Sequence, residues 1–247
     1  MPHKKYNIYG VKDKNEKKVV KKENIFDLTF RLLLVGKSQS GKGVVGTANL
    51  LLLPEFYAND FKGENIFIFS KSLDYDTKTK ILIKQKKIPN ENLFKGLEDE
   101  ELAAVIDFCE EQYLEAEEEG EPLPQFLVIL DDVMENLKQK DKNSAVNELF
   151  IRGRHINIST MVFLQYYSRL PAVSRLNSTG LIIFELPKKQ IDYIADEHNY
   201  LDNRKEFHAL YKAATRDKHS FFVINYSNDR EHRYLNKHFE LIELPEE

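Results

Sequence analysis

Two clusters in this chain combine residue types and spacings suited to phosphate chemistry. The first is Gly36-Lys37-Ser38-Gln39-Ser40-Gly41-Lys42-Gly43, which follows the strand-like run Arg31–Val35. A glycine, four residues and then Gly-Lys is the phosphate-loop pattern GxxxxGK[ST], with Gly43 where Ser or Thr belongs. Glycines let successive backbone N–H groups point inward at phosphate oxygens. A helix starting near Gly43 would offer its positive dipole end to the same anion, and Lys42 would add a mobile point charge. The missing hydroxyl ordinarily ligates Mg²⁺. On the pattern alone, restoring Ser or Thr at position 43 is expected to tighten metal binding and raise turnover. The plainer reading of these residues is a tight glycine turn with an exposed lysine.

The second cluster is Asp131-Asp132, directly after the apolar run 126–130. A carboxylate pair at the end of a buried strand suits the other half of a nucleotide-hydrolysis site. One carboxylate holds Mg²⁺ and the other orients or deprotonates the attacking water. By position, Asp131 is assigned to the metal and Asp132 to the water; the alternative is an Asp pair capping the next helix. Gln165 ends the expected strand Thr160–Leu164, where an amide can sense a γ-phosphate or position water. Arg154 and Arg175 flank that strand. Each is a candidate finger for a neighbouring subunit's phosphate, or else a surface ion-pair partner. His155 has no companions at metal-ligand spacing and reads as structural.

These residues need a sheet to align them. Apolar runs at 31–35, 66–69, 126–130, 160–164 and 181–184 read as strands. Continuous apolar runs, as opposed to alternating ones, mark strands covered on both faces of a parallel sheet. Helical stretches are expected at 44–53, 77–86, 98–119, 144–152, 172–176, 187–198 and 203–215, with Gly120 and Pro122 ending the long one. Late strands at 221–225 and 234–244 are expected to run antiparallel at the sheet edge. The fold class is therefore α/β, a mostly parallel central sheet flanked by helices, with ligands at the carboxyl ends of the strands.

The 247 residues suffice for one large α/β domain. The expected division is a basic arm over 1–24 and a phosphate-loop domain over 25–247. The arm carries eight lysines against three acidic residues, which suits either a phosphate backbone or a solvated tail. The net charge of −4 argues neither for nor against nucleic acid. No run approaches the ~20 apolar residues that span a bilayer, and no apolar signal core is visible. Membrane insertion and secretion are thus not expected. A single cysteine, Cys109, excludes an internal disulfide framework.

The block Asn147-Glu148-Leu149-Phe150-Ile151-Arg152-Gly153-Arg154-His155-Ile156-Asn157-Ile158-Ser159, continuing through Gln165, is more specific. It resembles a Gly-Arg-His block of viral genome-packaging ATPases, the poxvirus-like and virophage-like branch of the FtsK–HerA superfamily. Leu170-Pro171, the run Arg175-Leu176-Asn177-Ser178-Thr179 and Phe30-Arg31 before the loop also resemble that family. The likeness covers roughly residues 29–185. It implies a RecA/FtsK–HerA-like P-loop NTPase that uses ATP and Mg²⁺ to drive double-stranded DNA into a preformed capsid. The implied partners are the DNA, further copies in a homo-oligomeric ring, and capsid or portal-vertex proteins. The implied place is the virion or a viral factory in host cytoplasm. By the same resemblance Lys42 binds phosphate, Asp131 and Asp132 form the acidic site, Gln165 is the sensor, and Arg154 and Arg175 serve a finger or an intersubunit contact. Gly43 departs from the pattern, as does Tyr166, where a small polar residue is usual. Two rivals stay open: a non-hydrolysing or weakly hydrolysing nucleotide-dependent assembly module, and a cellular-type DNA-translocating ATPase.

Overall fold

The structure is a computed structural model that describes residues 24–133 and 144–242. Its centre is an eight-stranded sheet in the order β3-β2-β4-β5-β1-β6-β7-β8. The strands are β1 (Arg31–Val35), β2 (Ile66–Ser70), β3 (Leu93–Phe94), β4 (Phe126–Asp131), β5 (Ile158–Leu164), β6 (Gly180–Ile183), β7 (Phe222–Asn225) and β8 (Tyr234–Leu235). Every pairing from β3 to β6 is parallel, while β6–β7 and β7–β8 are antiparallel. The mostly parallel sheet with an antiparallel C-terminal edge is the arrangement expected from the sequence.

The apolar runs are continuous because each strand supplies two cores. Leu33 and Val35 of β1 enter one apolar cluster, with Phe126, Val128, Val162 and the helices Asp99–Glu119 (α2) and Ala145–Arg152 (α3). Leu32 and Leu34 point the other way, to Phe30, Tyr57, Ile129, Met161 and the helix Thr77–Lys86 (α1). The period-2 alternation of side chains thus leaves no face of β1 for water.

The helices follow local signals. Asp76 caps α1 by accepting from the Thr79 backbone N–H at 2.8 Å, and Ser144 caps α3. Such caps satisfy backbone donors that the first turn leaves open. Gly120 ends α2 in the left-handed conformation at φ 71°, donating to the Ala116 and Glu117 carbonyls. The helix after the phosphate loop runs over residues 42–52, and its Val44–Leu50 segment is wound in wider π turns. There Gly46 presses against the sheet: a Cβ on it would lie 2.4 Å from Phe163 Cζ. Only glycine allows the helix to lie that close to β5.

Two expectations need correcting. Of the late strand expected over 234–244, the described residues form Tyr234–Leu235 and one further bridge from Leu235 to Leu241, and 243–244 lie outside the described residues. Between them the Asn236 side chain accepts the His238 backbone N–H at 2.7 Å and closes a turn. Conversely, β3 is a strand the sequence does not announce. Its two residues are too few to show a period, and it is held by Phe94 stacking on Phe69 at 4.3 Å. Residues 1–23 of the basic arm lie outside the described residues.

Candidate active site

The parallel register brings the predicted residues to one edge. Val35 is level with Leu164, Asp131 with Phe163, and Ser70 with Asp131. The phosphate loop after β1, the acidic pair after β4 and Gln165 after β5 therefore emerge side by side at the strands' carboxyl ends. Together they line a cavity of about 700 Å³.

The loop's glycines have steric reasons. Gly41 sits at φ +108°, a conformation that side chains rarely adopt. A Cβ on Gly36 would lie 2.6 Å from Ser40 Oγ and 2.9 Å from Phe184 Cβ. Gly36 donates to the Leu164 carbonyl at 3.0 Å and ties the loop to β5. Gln39 adopts the left-handed conformation at φ 62°. Among the described residues Ser40 Oγ is buried without a hydrogen-bond partner, so a phosphate oxygen there would satisfy it. Lys42 Nζ donates to the carbonyls of Gly36 and, at 2.9 Å, of Lys37. Partial burial lowers its pKa, and the nearby Asp132 and Asp131 oppose that shift. Lys37 and Ser38 complete the loop, with Ser38 on the cavity wall.

Asp131 and Asp132 differ in environment. Asp131 Oδ2 accepts from Ser70 Oγ at 3.1 Å and Ser72 Oγ at 3.4 Å. Burial pushes its carboxyl pKa up, the Ser70 hydrogen bond opposes this, and the neighbouring Asp132 and Asp76 add to it. Asp132 is exposed, takes the left-handed conformation at φ 54°, and accepts from Gln165 Nε2 at 2.7 Å. Acidic residue and amide thus form one unit over the cavity. Asp131 together with phosphate oxygens and water is a donor set that suits Mg²⁺, which keeps several waters. Among the described residues no three His, Cys, Asp or Glu converge on a common metal position. Thr47 also lines the cavity, but its hydroxyl donates to the Gly43 carbonyl.

The raised Asp131 pKa has a testable consequence. Above the folded pKa, its charge costs the folded chain stability; that cost fades as pH falls toward the unfolded value. Asp131→Asn is therefore expected to raise the melting temperature in metal-free buffer at neutral pH. The gain over the parent should shrink in mild acid. Thermal melts of both proteins across that range check it, and a pH-independent difference would contradict it.

The two arginines part company. Arg175 belongs to the short helix Ala172–Leu176 (α4) and is 5% exposed. Its guanidinium binds Glu197 at 2.7 and 3.0 Å and Tyr193 Oη at 2.6 Å, and also donates to the Leu170 carbonyl. It further packs over the Tyr167 and Tyr193 rings. Glu197 and Tyr193 lie on the helix Lys188–His198 (α5), so Arg175 fastens α4 to α5. With its donors engaged inside the chain, it is not available as a finger, which corrects the sequence-based expectation. Arg154 is exposed, and its Nε donates to His155 Nε2 at 3.2 Å. It precedes β5 and therefore lies at the amino end of the strands, opposite this chain's own phosphate loop.

The sequence reading missed one wall of the cavity. Ser72, Tyr75, Asp76, Lys78 and Thr79, in the loop after β2 and the first turn of α1, all line it. Since β2 ends at the same edge, the loop after it had to arrive here; that topology was the available signal. The Asp76 carboxyl is held below its ordinary pKa: burial raises it, but hydrogen bonds from Thr79 and Lys78 outweigh that. A second cavity of about 670 Å³, with Phe56, Phe221 and Phe239 in its walls, adjoins through Gln39, Gly41 and Lys78.

Comparison with known proteins gives consistent matches. The family model described as Poxvirus A32 protein matches residues 17–234. The DNA packaging protein OPG160 of Vaccinia virus (strain Copenhagen) is 27% identical over 188 residues, 75% of this chain and 62% of that protein. Its Variola virus counterpart is 28% identical over 182 residues, 73% of this chain and 60% of that protein. The chain thus spans about three-fifths of the length of these curated relatives. Among solved structures, the genome packaging NTPase B204 from Sulfolobus turreted icosahedral virus 2, in complex with AMP, superposes with a TM-score of 0.57. That match covers 80% of this chain and 93% of the other at 16% identity, a level that speaks to the fold. The DNA-packaging ATPase B204 from Sulfolobus Turreted Icosahedral Virus gives a TM-score of 0.55 at 15% identity, over 81% and 93% of the two chains.

Proposed function

The chain belongs to the Poxvirus A32 protein family, and on that premise we propose that it is an ATP-hydrolysing motor that packages double-stranded viral DNA into a preformed capsid. The observation that carries this reading is the convergence of Lys42, Asp131 and the Asp132–Gln165 pair on one cavity at the sheet's carboxyl edge. Residues 25–247 form the ATPase domain in this reading. The virion or viral factory is its place of action.

Each residue then has a task. The loop 36–43 wraps the phosphates with backbone N–H groups, and Ser40 Oγ adds a hydrogen bond. Lys42 leaves the loop carbonyls for the outer phosphates, where a positive charge is worth more than in water. Gln165 and Asp132 hold a water in line with the terminal phosphate, and Asp132 receives its proton. Asp131 is the residue that would hold Mg²⁺, which when bound neutralises charge on the outer phosphate oxygens. The apolar second cavity, with its three phenylalanines, suits the base. Arg154, at the far end of the sheet, is the remaining candidate for reaching a neighbour's nucleotide in a ring.

One observation favours a rival. Gly43 provides no hydroxyl for the metal, as in an assembly module that binds nucleotide without turning it over. Steady-state ATP turnover with and without double-stranded DNA, at low and high salt, separates the two readings. The motor reading expects turnover that DNA stimulates and salt suppresses. In the same assay, mixing Arg154→Ala with Lys42→Ala subunits should restore part of the activity. Nucleotide binding with no turnover on DNA would favour the assembly module. No recovery in mixed oligomers would remove Arg154 from the site.

A further inference from the structure

Lys78 is the second residue of α1 and lies on the wall of the phosphate cavity. The start of a helix disfavours a cation, because the dipole's positive end is there. The dipole therefore does not explain a lysine at this position, whose local partner is the capping Asp76. Gly43 is also unexplained by its backbone, since its φ −63° and ψ −34° are ordinary helical values open to any residue. The two residues explain each other. A Cβ on Gly43 would fall 3.0 Å from Lys78 Cδ, 3.7 Å from Cε and 4.0 Å from Nζ. A Ser or Thr at position 43 would therefore press its Cβ on the lysine stem, which would have to give by a few tenths of an ångström.

We propose that Lys78 is a second phosphate-contacting lysine of this site, and that Gly43 is glycine because it admits that side chain. The proposal rests on the nucleotide-binding reading above and deepens it. The Lys78 ammonium is paired with Asp76 Oδ1 at 2.9 Å, and its side chain is 43% exposed. It can therefore swing from Asp76 to a phosphate by rotating its flexible stem. Positive charge then reaches the polyphosphate from two sides, from Lys42 out of the loop and from Lys78 out of α1. Under this proposal Gly43→Ser does not improve the site. It crowds the Lys78 stem, and the cost to that lysine's reach reverses the sign expected from the loop pattern alone.

The test is equilibrium binding of a non-hydrolysable ATP analogue and of AMP to the full chain, with thermal melts as a control for folding. The proteins are the parent, Lys42→Ala, Lys78→Ala, Gly43→Ser and the Gly43→Ser/Lys78→Ala double variant. Lys78→Ala should weaken the ATP analogue about tenfold, the scale of one charged hydrogen bond. It should leave AMP binding unchanged, because the contact is with the outer phosphates. Gly43→Ser should weaken the analogue in the parent and cost nothing further in the Lys78→Ala background. Unchanged analogue binding in Lys78→Ala, alongside loss in Lys42→Ala, would overturn the proposal and leave the nucleotide site standing. An equal cost of Gly43→Ser in both backgrounds would overturn the link between the two residues. A parent that binds no analogue, or a Lys42→Ala variant that binds it normally, would overturn the nucleotide reading itself.

Discussion

Replacing Lys42 with Ala is expected to lower ATP turnover by at least about 10²–10³-fold, the scale of losing one preorganised charge at a reacting phosphate. Nucleotide affinity should fall with it, because the lysine meets the phosphates in ground and transition states alike. The fold should persist. Burial lowers the Lys42 pKa despite the two nearby aspartates, so its charged form costs the folded chain stability below the folded pKa, and removing it relieves that cost. Its hydrogen bonds go to the carbonyl of Gly36, which is buried, and to that of Lys37, which is exposed and open to water. The buried Gly36 carbonyl loses a donor, which offsets part of that relief, so the melting temperature should change little while activity is lost. A folded variant with parental affinity and rate would remove the phosphate loop from the mechanism.

The second large effect is expected at the acidic pair. Asp132→Asn should keep nucleotide binding and lose turnover by about 10²–10⁴-fold, the usual contribution of a positioned general base. An amide at that position can still meet Gln165, which accepts as well as donates, but it cannot take a proton from water. Asp131→Asn should instead raise the Mg²⁺ concentration needed for half-maximal rate. The rate against Mg²⁺ for parent and both variants distinguishes the roles. If Asp132→Asn alone shifted the metal dependence, the assignments would be reversed.

The site was partly legible in the sequence, for a physical reason. A loop that cradles phosphate needs glycine where a Cβ would collide or φ turns positive, as at Gly36 and Gly41, and such glycines leave a fixed spacing. Strands buried on both faces need unbroken apolar runs, and β1, β4 and β5 supply them. The acidic pair and Gln165 were readable because each directly follows such a run. The wall formed by Ser72, Asp76 and Lys78 was not readable in the same way. Those residues reach the cavity through the crossing of β2 beside β4, and no local pattern encodes that. Arg175 misled for a related reason. A functional arginine and a structural one look alike until the partner is known, and Glu197 lies 22 positions away on another helix. The late strand failed at Asn236, whose side chain competes with the ladder for backbone N–H groups.

The most direct test of the central claim is whether the protein moves along DNA at the expense of ATP. A linear duplex carrying a triplex-forming third strand reports this, since a translocating motor strips the third strand as it passes. The parent should displace the strand only with ATP and Mg²⁺, faster at low salt, and Lys42→Ala should not displace it. A parent that hydrolyses ATP on DNA yet leaves the third strand bound, or displaces it equally without ATP, would contradict the account.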